Sequence, residues 1–343
     1  MQFKFYESFL PTYIPLTIVD LCLQEHISYE DIFSNLDLSL DDLRNKHFKL
    51  TYAELNTLTL NCITALSSDE LSIKVGKYIQ PHHLGIIGKL LEYSPTLADA
   101  LHILERYSLL IDPTIWFKVE QQDQLIIIHY RKMIPLGDTY QFNQYSQEVL
   151  SILIIRLLTN FYDIKGLQLD FEFPTPVYSR KLNFLQCSID WNKPETRLII
   201  PIINLEKKSL INKKESEFHQ LIKQAEYDFK VFNSIKKNWI FRVLGLIYSH
   251  INKPLNTKDF VKLLYISRST FFRKLQEHET NYEDLIQYVR MDFASKYLIQ
   301  NRGSISSLAY YLGFSHPSNF IKSFKQCFGM TPKQWQNKHN ETI

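Results

Sequence analysis

Residues 266–275 read ISRSTFFRKL, and residues 305–320 read ISSLAYYLGFSHPSNF. A serine in the first stretch, Ser267, and one just ahead of the second, Ser304, are suited to capping a helix, because a short hydroxyl side chain can accept the unpaired amides of a first turn. In the first, Thr257 is placed to cap a helix reaching Leu264, Tyr265 and Ile266 make a turn, and Ser267 caps a helix over residues 268–278. In the second, Ser304 caps a helix reaching Leu312, Gly313 and Phe314 make the turn, and a helix follows over residues 316–328. Gly329 is suited to end it in a left-handed backbone, and Thr331 with Pro332 behind it opens another helix.

Two helices joined by a turn of a few residues form the unit that reads a DNA major groove. On a 3.6-residue period Phe271 and Leu275 share the inward face of the first reading helix, so Arg268, Ser269, Phe272 and Arg273 point outward. In the second, Phe320 and Phe324 face inward with Phe314, and Ser318, Asn319 and Lys322 face outward. Arg and Asn suit base edges because they pair bidentately with guanine and adenine. Ser, Thr (here Thr270) and Lys suit phosphates. Phe272 has two readings, a contact to a thymine methyl or a core side chain.

Further outward, a helix over 240–250 closed by Pro254 precedes the first unit. A long helix capped by Asn281, with Leu285, Val289, Phe293 and Leu298 as its apolar stripe, runs to Asn301 between the two units. Residues 235–340 thus form an all-α domain of seven helices with two helix-turn-helix units. Charge divides in the same place. Residues 236–343 carry a net +9, residues 1–235 a net −6, and the whole 343-residue chain +3. An acidic body with a basic end is the asymmetry expected when only one domain meets a polyanion.

The rest reads as an α+β domain over residues 1–206, helices followed by an antiparallel sheet. Ser39 with Asp42 marks a helix start, and further helices are expected over 51–66, 81–93, 96–110 and 150–161. Strands are expected over 115–119 and 125–130 as a hairpin about Gln121, Gln122 and Asp123, then over 167–173, 185–191 and 197–203. The polar run KKSLINKKESE at 207–217 opens a linker over 207–234, in which 218–232 is amphipathic enough for a helix. No secretory signal and no bilayer-spanning apolar run is legible, so a cytoplasmic protein without membrane contact is expected.

Residues 266–275, Arg290 with Ala294 and Leu298, residues 305–320 and the close FKQCFGMTP at 324–332 together resemble the AraC/XylS family of bacterial transcription regulators. The likeness covers about a hundred residues in several parts. It implies two neighbouring major-groove segments read by one chain, with the long helix setting their spacing. It also implies base contacts at Ser269, Phe272, Arg273, Pro317, Ser318, Asn319 and Lys322, with double-stranded operator DNA and RNA polymerase as partners. Where the family usually has Gly in the first turn, this chain has Tyr265, which reads as a modified turn.

Val75-Gly76, residues 84–88, residues 94–101, Tyr107 and residues 184–203 are similar to the effector domain of the ornithine- and arabinose-regulator-like branch of that family. That implies sensing of a small molecule, formation of a homodimer, or both. A docking or oligomerisation module is the alternative. An enzyme would need a chemistry-bearing motif, and no phosphate loop, dinucleotide fingerprint, Gly-x-Ser-x-Gly or His-Glu-x-x-His occurs. The adjacent His82 and His83 point in different directions on a helix and have no visible partner. Cys22, Cys62, Cys187 and Cys327 lack any zinc, redox or disulfide spacing, and no cofactor or metal is expected.

Overall fold

The structure is a computed structural model that describes residues 9–10, 13–45, 50–66, 71–112, 115–132, 140–211, 214–234, 239–264, 266–299 and 303–340. The described residues fall into two compact units, one through residue 234 and one from residue 239.

The first unit opens with β1 (Phe9–Leu10), α1 (Tyr13–Gln24), α2 (Tyr29–Ile32), α3 (Leu40–Arg44), β2 (Leu50–Thr51) and α4 (Tyr52–Ala65). β1 and β2 pair antiparallel. Ser39 and Thr51 start α3 and α4 through reciprocal capping boxes with Asp42 and Glu54, so two first-turn amides are satisfied at each end. α5 (Leu71–Tyr78), α6 (Gly85–Tyr93) and α7 (Leu97–Ile111) follow, the last capped by Thr96 with Asp99. The helix expected over 81–93 is broken. Residues Pro81–Leu84 form a 3-10 turn, Gly85 takes φ 58°, and only then does α6 begin. A Cβ on Gly88 would lie 1.7 Å from the Pro81 carbonyl oxygen, so glycine is what lets the turn fold back onto α6.

Five strands make the main sheet: β3 (Ile115–Gln122), β4 (Leu125–Lys132), β5 (Gln168–Asp170), β6 (Ser188–Asp190) and β7 (Arg197–Pro201), in the order β3-β4-β7-β5-β6. The hairpin pairs Gln122 with Leu125, leaving Asp123 (φ 52°) and Gln124 as its turn. The antiparallel expectation needs one correction, because β5 and β6 run parallel. The chain between them crosses over through a 3-10 helix, Ser179–Leu185, which also takes the first residue of the strand expected over 185–191. Phe117, Ile126, Ile128, Tyr130, Leu198 and Ile200 are buried on one face of this sheet.

α8 (Tyr140–Phe161) is longer than the helix expected over 150–161 and packs against β4, where Ser151 Oγ lies 2.7 Å from Tyr130 Oη. An adjoining side meets α5, where Gly76 leaves room for Ile152. The other face carries the buried Ile127 and Ile199 together with two ion pairs, Arg131 with Glu172 at 3.1 Å and Arg197 with Asp170 at 2.8 Å. α9 (Glu215–Ser234) takes in the helix expected over 218–232. It packs on α6 and α7, with Arg106 Nε 2.7 Å from Glu226 Oε1 and the rings of Tyr107 and Phe229 edge to face. Most of the stretch read as a linker over 207–234 is therefore a helix seated on the first unit.

The second unit is all helical: α10 (Trp239–Ser249), α11 (Thr257–Leu264), α12 (Arg268–Glu277), α13 (Tyr282–Ile299), α14 (Ile305–Tyr311), α15 (Pro317–Phe328) and α16 (Pro332–Asn340). Trp239, Phe260, Phe271 and Tyr282 form a ring cluster beneath α11 and α12. Phe314, Phe320, Phe324, Phe328 and Trp335 form another beneath α14 and α15. α13 packs on α10 and α16. Its buried Asp292 accepts from Tyr248 and pairs with Lys296 at 2.7 Å, and Trp335 donates to the Ser295 carbonyl at 3.1 Å. Tyr265 and Asn301 lie outside the described residues.

Candidate nucleic-acid interface

Each end of α12 and α15 is fixed locally. Ser267 accepts the Thr270 amide at 3.1 Å, and its hydroxyl lies 3.0 Å from Ser269 Oγ and 2.8 Å from Thr270 Oγ1. α15 begins at Pro317 behind His316, which makes no side-chain cap, so it starts one residue later than expected. Proline at that position costs nothing, because its missing N–H would have had no helical partner. Gly329 closes α15 at φ 73°, and Ser304 and Asn281 cap α14 and α13 as expected. The cap of α11 moves back one residue. Asn256, and not Thr257, accepts the Asp259 amide at 3.0 Å.

Phe271 and Leu275 are buried, and Arg268, Ser269, Phe272 and Arg273 are exposed with Thr270 half-buried beside them. On α15, Phe320 and Phe324 are buried, Ser318, Asn319 and Lys322 are exposed, and Pro317 is half-buried. Of the two readings of Phe272, the core one does not hold: the residue is 41% exposed. Its ring sits edge-on to Phe271 and 5.6 Å from the Arg268 guanidinium carbon, an arrangement that stiffens both side chains.

Two participants, Glu277 and Lys274, were not singled out from sequence, and a third, Arg290, was named there only among the residues that carry the family resemblance. Glu277 holds Arg273, its Oε1 2.5 Å from Arg273 Nη1, a pair that i,i+4 spacing makes legible in hindsight. Lys274 places its ammonium 5.4 Å from the Trp239 ring, covering the core. Arg290 reaches from α13 to the turn of the second unit, with its guanidinium 4.9 Å from the Phe314 ring and Nη2 3.3 Å from the Gly313 carbonyl oxygen. A Cβ on Gly313 (φ 75°) would meet Arg290 Nη2 at 2.9 Å and Pro254 Cδ at 3.5 Å. Arg290 and Gly313 therefore sit where the loop after α10 meets the turn between α14 and α15. Burial lowers the Arg290 pKa from its ordinary value.

His83 Nδ1 accepts the Gln80 amide at 3.0 Å, a structural task within the 3-10 turn. Among the described residues no group of three or more His, Cys, Asp or Glu is placed to hold a metal ion. Among them, too, no helix is long and apolar enough to cross a membrane.

Residues 27–208, over half of the chain, match the arabinose-binding domain of AraC transcription regulators, and residues 260–338 match a helix-turn-helix domain family. The chain belongs to the AraC family of transcription regulators. This AraC-family chain is 32% identical over 109 residues to the transcriptional regulator YdeO of Escherichia coli K12, a span covering 31% of this chain and 43% of YdeO. Against the Escherichia coli activator FapR it is 28% identical over 110 residues, covering 32% of this chain and 42% of FapR. Both matches thus span less than half of those relatives. The ornithine utilization regulator of Pseudomonas aeruginosa matches over 97% of this chain and 98% of its own length at 19% identity. Among solved structures, the transcriptional regulator CdpR from Pseudomonas aeruginosa is similar over 95% of this chain and 98% of its own, with 14% identity and a TM-score of 0.46.

Proposed function

We propose that this regulator binds operator duplex by laying α12 and α15 in neighbouring major-groove segments. The observation that carries this is the shared build of the two helices. Each is anchored by buried aromatic side chains, and each presents a residue able to bond a base edge bidentately, Arg273 or Asn319, outward among small hydroxyl and cationic side chains. Arg273 and Asn319 would read base edges. Arg268, Ser269, Thr270, Ser318 and Lys322 would hold phosphates or base edges, Phe272 would touch a thymine methyl, and Pro317 would pack against the backbone. α13 supplies the spacer between readers, in a duplex whose major groove recurs about every 34 Å.

Residues 1–206 would sense a small molecule, residues 235–340 would bind DNA, and α9, between them in 207–234, would act with the first part because it is seated there. Action in the cytoplasm on transcription by RNA polymerase, without a catalytic step, follows from the same reading. Self-association is favoured by α9, whose Tyr227 and Val231, one turn apart, are 64% and 44% exposed. Footprinting on a randomised-site selection tests the proposal. The expected outcome is two protected segments about one helical turn apart, and a single protected segment, or none, would overturn it.

A further inference from the structure

On the first turns of α8, three buried side chains each carry one oxygen without a hydrogen-bond partner. Asn143 is 6% exposed, Ser146 5% and Gln147 1%. Asn143 Oδ1, Ser146 Oγ and Gln147 Oε1 touch neither solvent nor a partner atom. Asn143 and Gln147 stand one turn apart, and Ser151 continues the same line toward Tyr130 of β4. Buried polar atoms are nearly always paired, because leaving one unpaired forfeits its hydration. Three such atoms within five residues are therefore a cost that packing alone does not explain.

We propose that this stripe of α8 is the binding site for a small molecule rich in N–H or O–H donors, neutral or cationic. The proposal rests on the reading of the first unit as a sensor. The unmet atoms dictate the class. Two are carboxamide oxygens, which only accept, and the third is a hydroxyl, which can accept. Anions are disfavoured because the residue next to Gln147 on this part of the helix is Glu148, a carboxylate. It is 1% exposed and held by Ser72, by Tyr178 at 2.8 Å and by Gln144 at 3.0 Å. A ligand that donates to the Asn143, Ser146 and Gln147 oxygens stabilises the folded unit in proportion to its affinity.

The test uses the full chain and needs no ligand in its first arm. Gln147→Met and Asn143→Leu replace each carboxamide that carries an unmet oxygen with an apolar group of similar size, and each is expected to raise the melting temperature by about 2–4 °C. A lowered melting temperature would mean that these atoms have structural partners such as fixed water, and would overturn the proposal. The second arm measures thermal shift with L-arabinose, putrescine and acetamide, with citrate as the anionic control. A donor-rich probe is expected to raise the wild-type melting temperature and to leave Gln147→Met unmoved. A shift kept in full by Gln147→Met overturns the location, and a response to citrate alone, or to no probe, overturns the class. Loss of operator footprints in the wild type would instead count against the DNA-binding reading and leaves the first arm unaffected.

Discussion

Arg273 illustrates what a single residue can and cannot tell. Its outward direction was legible because Phe271 and Leu275 fix the inward face of α12. Its tie to Glu277 was not foreseen, since a favourable i,i+4 spacing indicates only that two charges can meet. To reach a base, Arg273 must exchange that carboxylate for the base edge, so the net gain is smaller than a free guanidinium would give. Arg273→Ala is still expected to cost about 1–3 kcal/mol and to relax preference at one base pair. Lys322→Ala should weaken all sequences alike, as loss of a phosphate contact does. Selection on a randomised library reads both, and an unchanged preference for Arg273→Ala would remove it from the base readers. Phe272 was open between core and surface because an aromatic beside an inward Phe271 fits either, and only packing decided it. The unmet oxygens on α8 were invisible for a different reason. Asn, Ser and Gln in a helix read as solvated until the elements that bury them are known.

At the scale of elements, all five strands of the main sheet overlap the stretches expected for them, whereas α1, α2 and α5 had no expected counterpart. Hydroxyl and amide caps act within one turn, so Ser39, Ser267, Asn281 and Ser304 are legible from neighbours alone, while Thr51 and Thr96 were expected only as the first residues of helices and cap them in the structure. The break ahead of α6 escaped because apolar periodicity runs on through it, and only Gly85 and Gly88 mark the fold-back. The parallel pairing of β5 with β6 depends on a crossover that strand periodicity cannot report. Gly313 is the element-scale test of the second helix-turn-helix unit. Its positive φ and the 2.9 Å approach of Arg290 act together. Gly313→Ala should destabilise the DNA-binding unit by about 1–2 kcal/mol from backbone conformation alone, with the displaced guanidinium adding to it. Thermal melting checks this, and a variant as stable as wild type would show that the turn has another conformation open to it.

For the whole molecule, charge asymmetry and compactness make the same division. A fragment of residues 230–343 is expected to fold alone and to bind operator duplex. Its affinity should fall steeply with salt, each neutralised phosphate contributing about 0.9 to the log–log slope. It should also ignore any small molecule that alters binding by the full chain, since coupling needs the sensing unit to bias two states. Salt-titrated binding of fragment and full chain, with and without the probes named above, measures both expectations. Acid should act on the other unit. Hydrogen bonds from Arg106 and then Tyr107 hold the Glu226 pKa below its ordinary value. A depressed folded-state pKa contributes stability that is present above the unfolded value, about 4.3, and is lost as pH falls through the folded one. The melting-temperature gap between wild type and Glu226→Gln should accordingly shrink on acidification, and a gap independent of pH would assign the loss to packing. The Gly88 fold-back has its own reach across time. A side-chain carbon set 1.7 Å from a backbone oxygen cannot be accommodated by turning a rotamer, so no gradual route leads away from glycine there. Lineages descending from this chain can replace Gly88 only after the Pro81 turn has been remodelled. The two positions should therefore drift as a linked pair while the helix faces around them diverge freely.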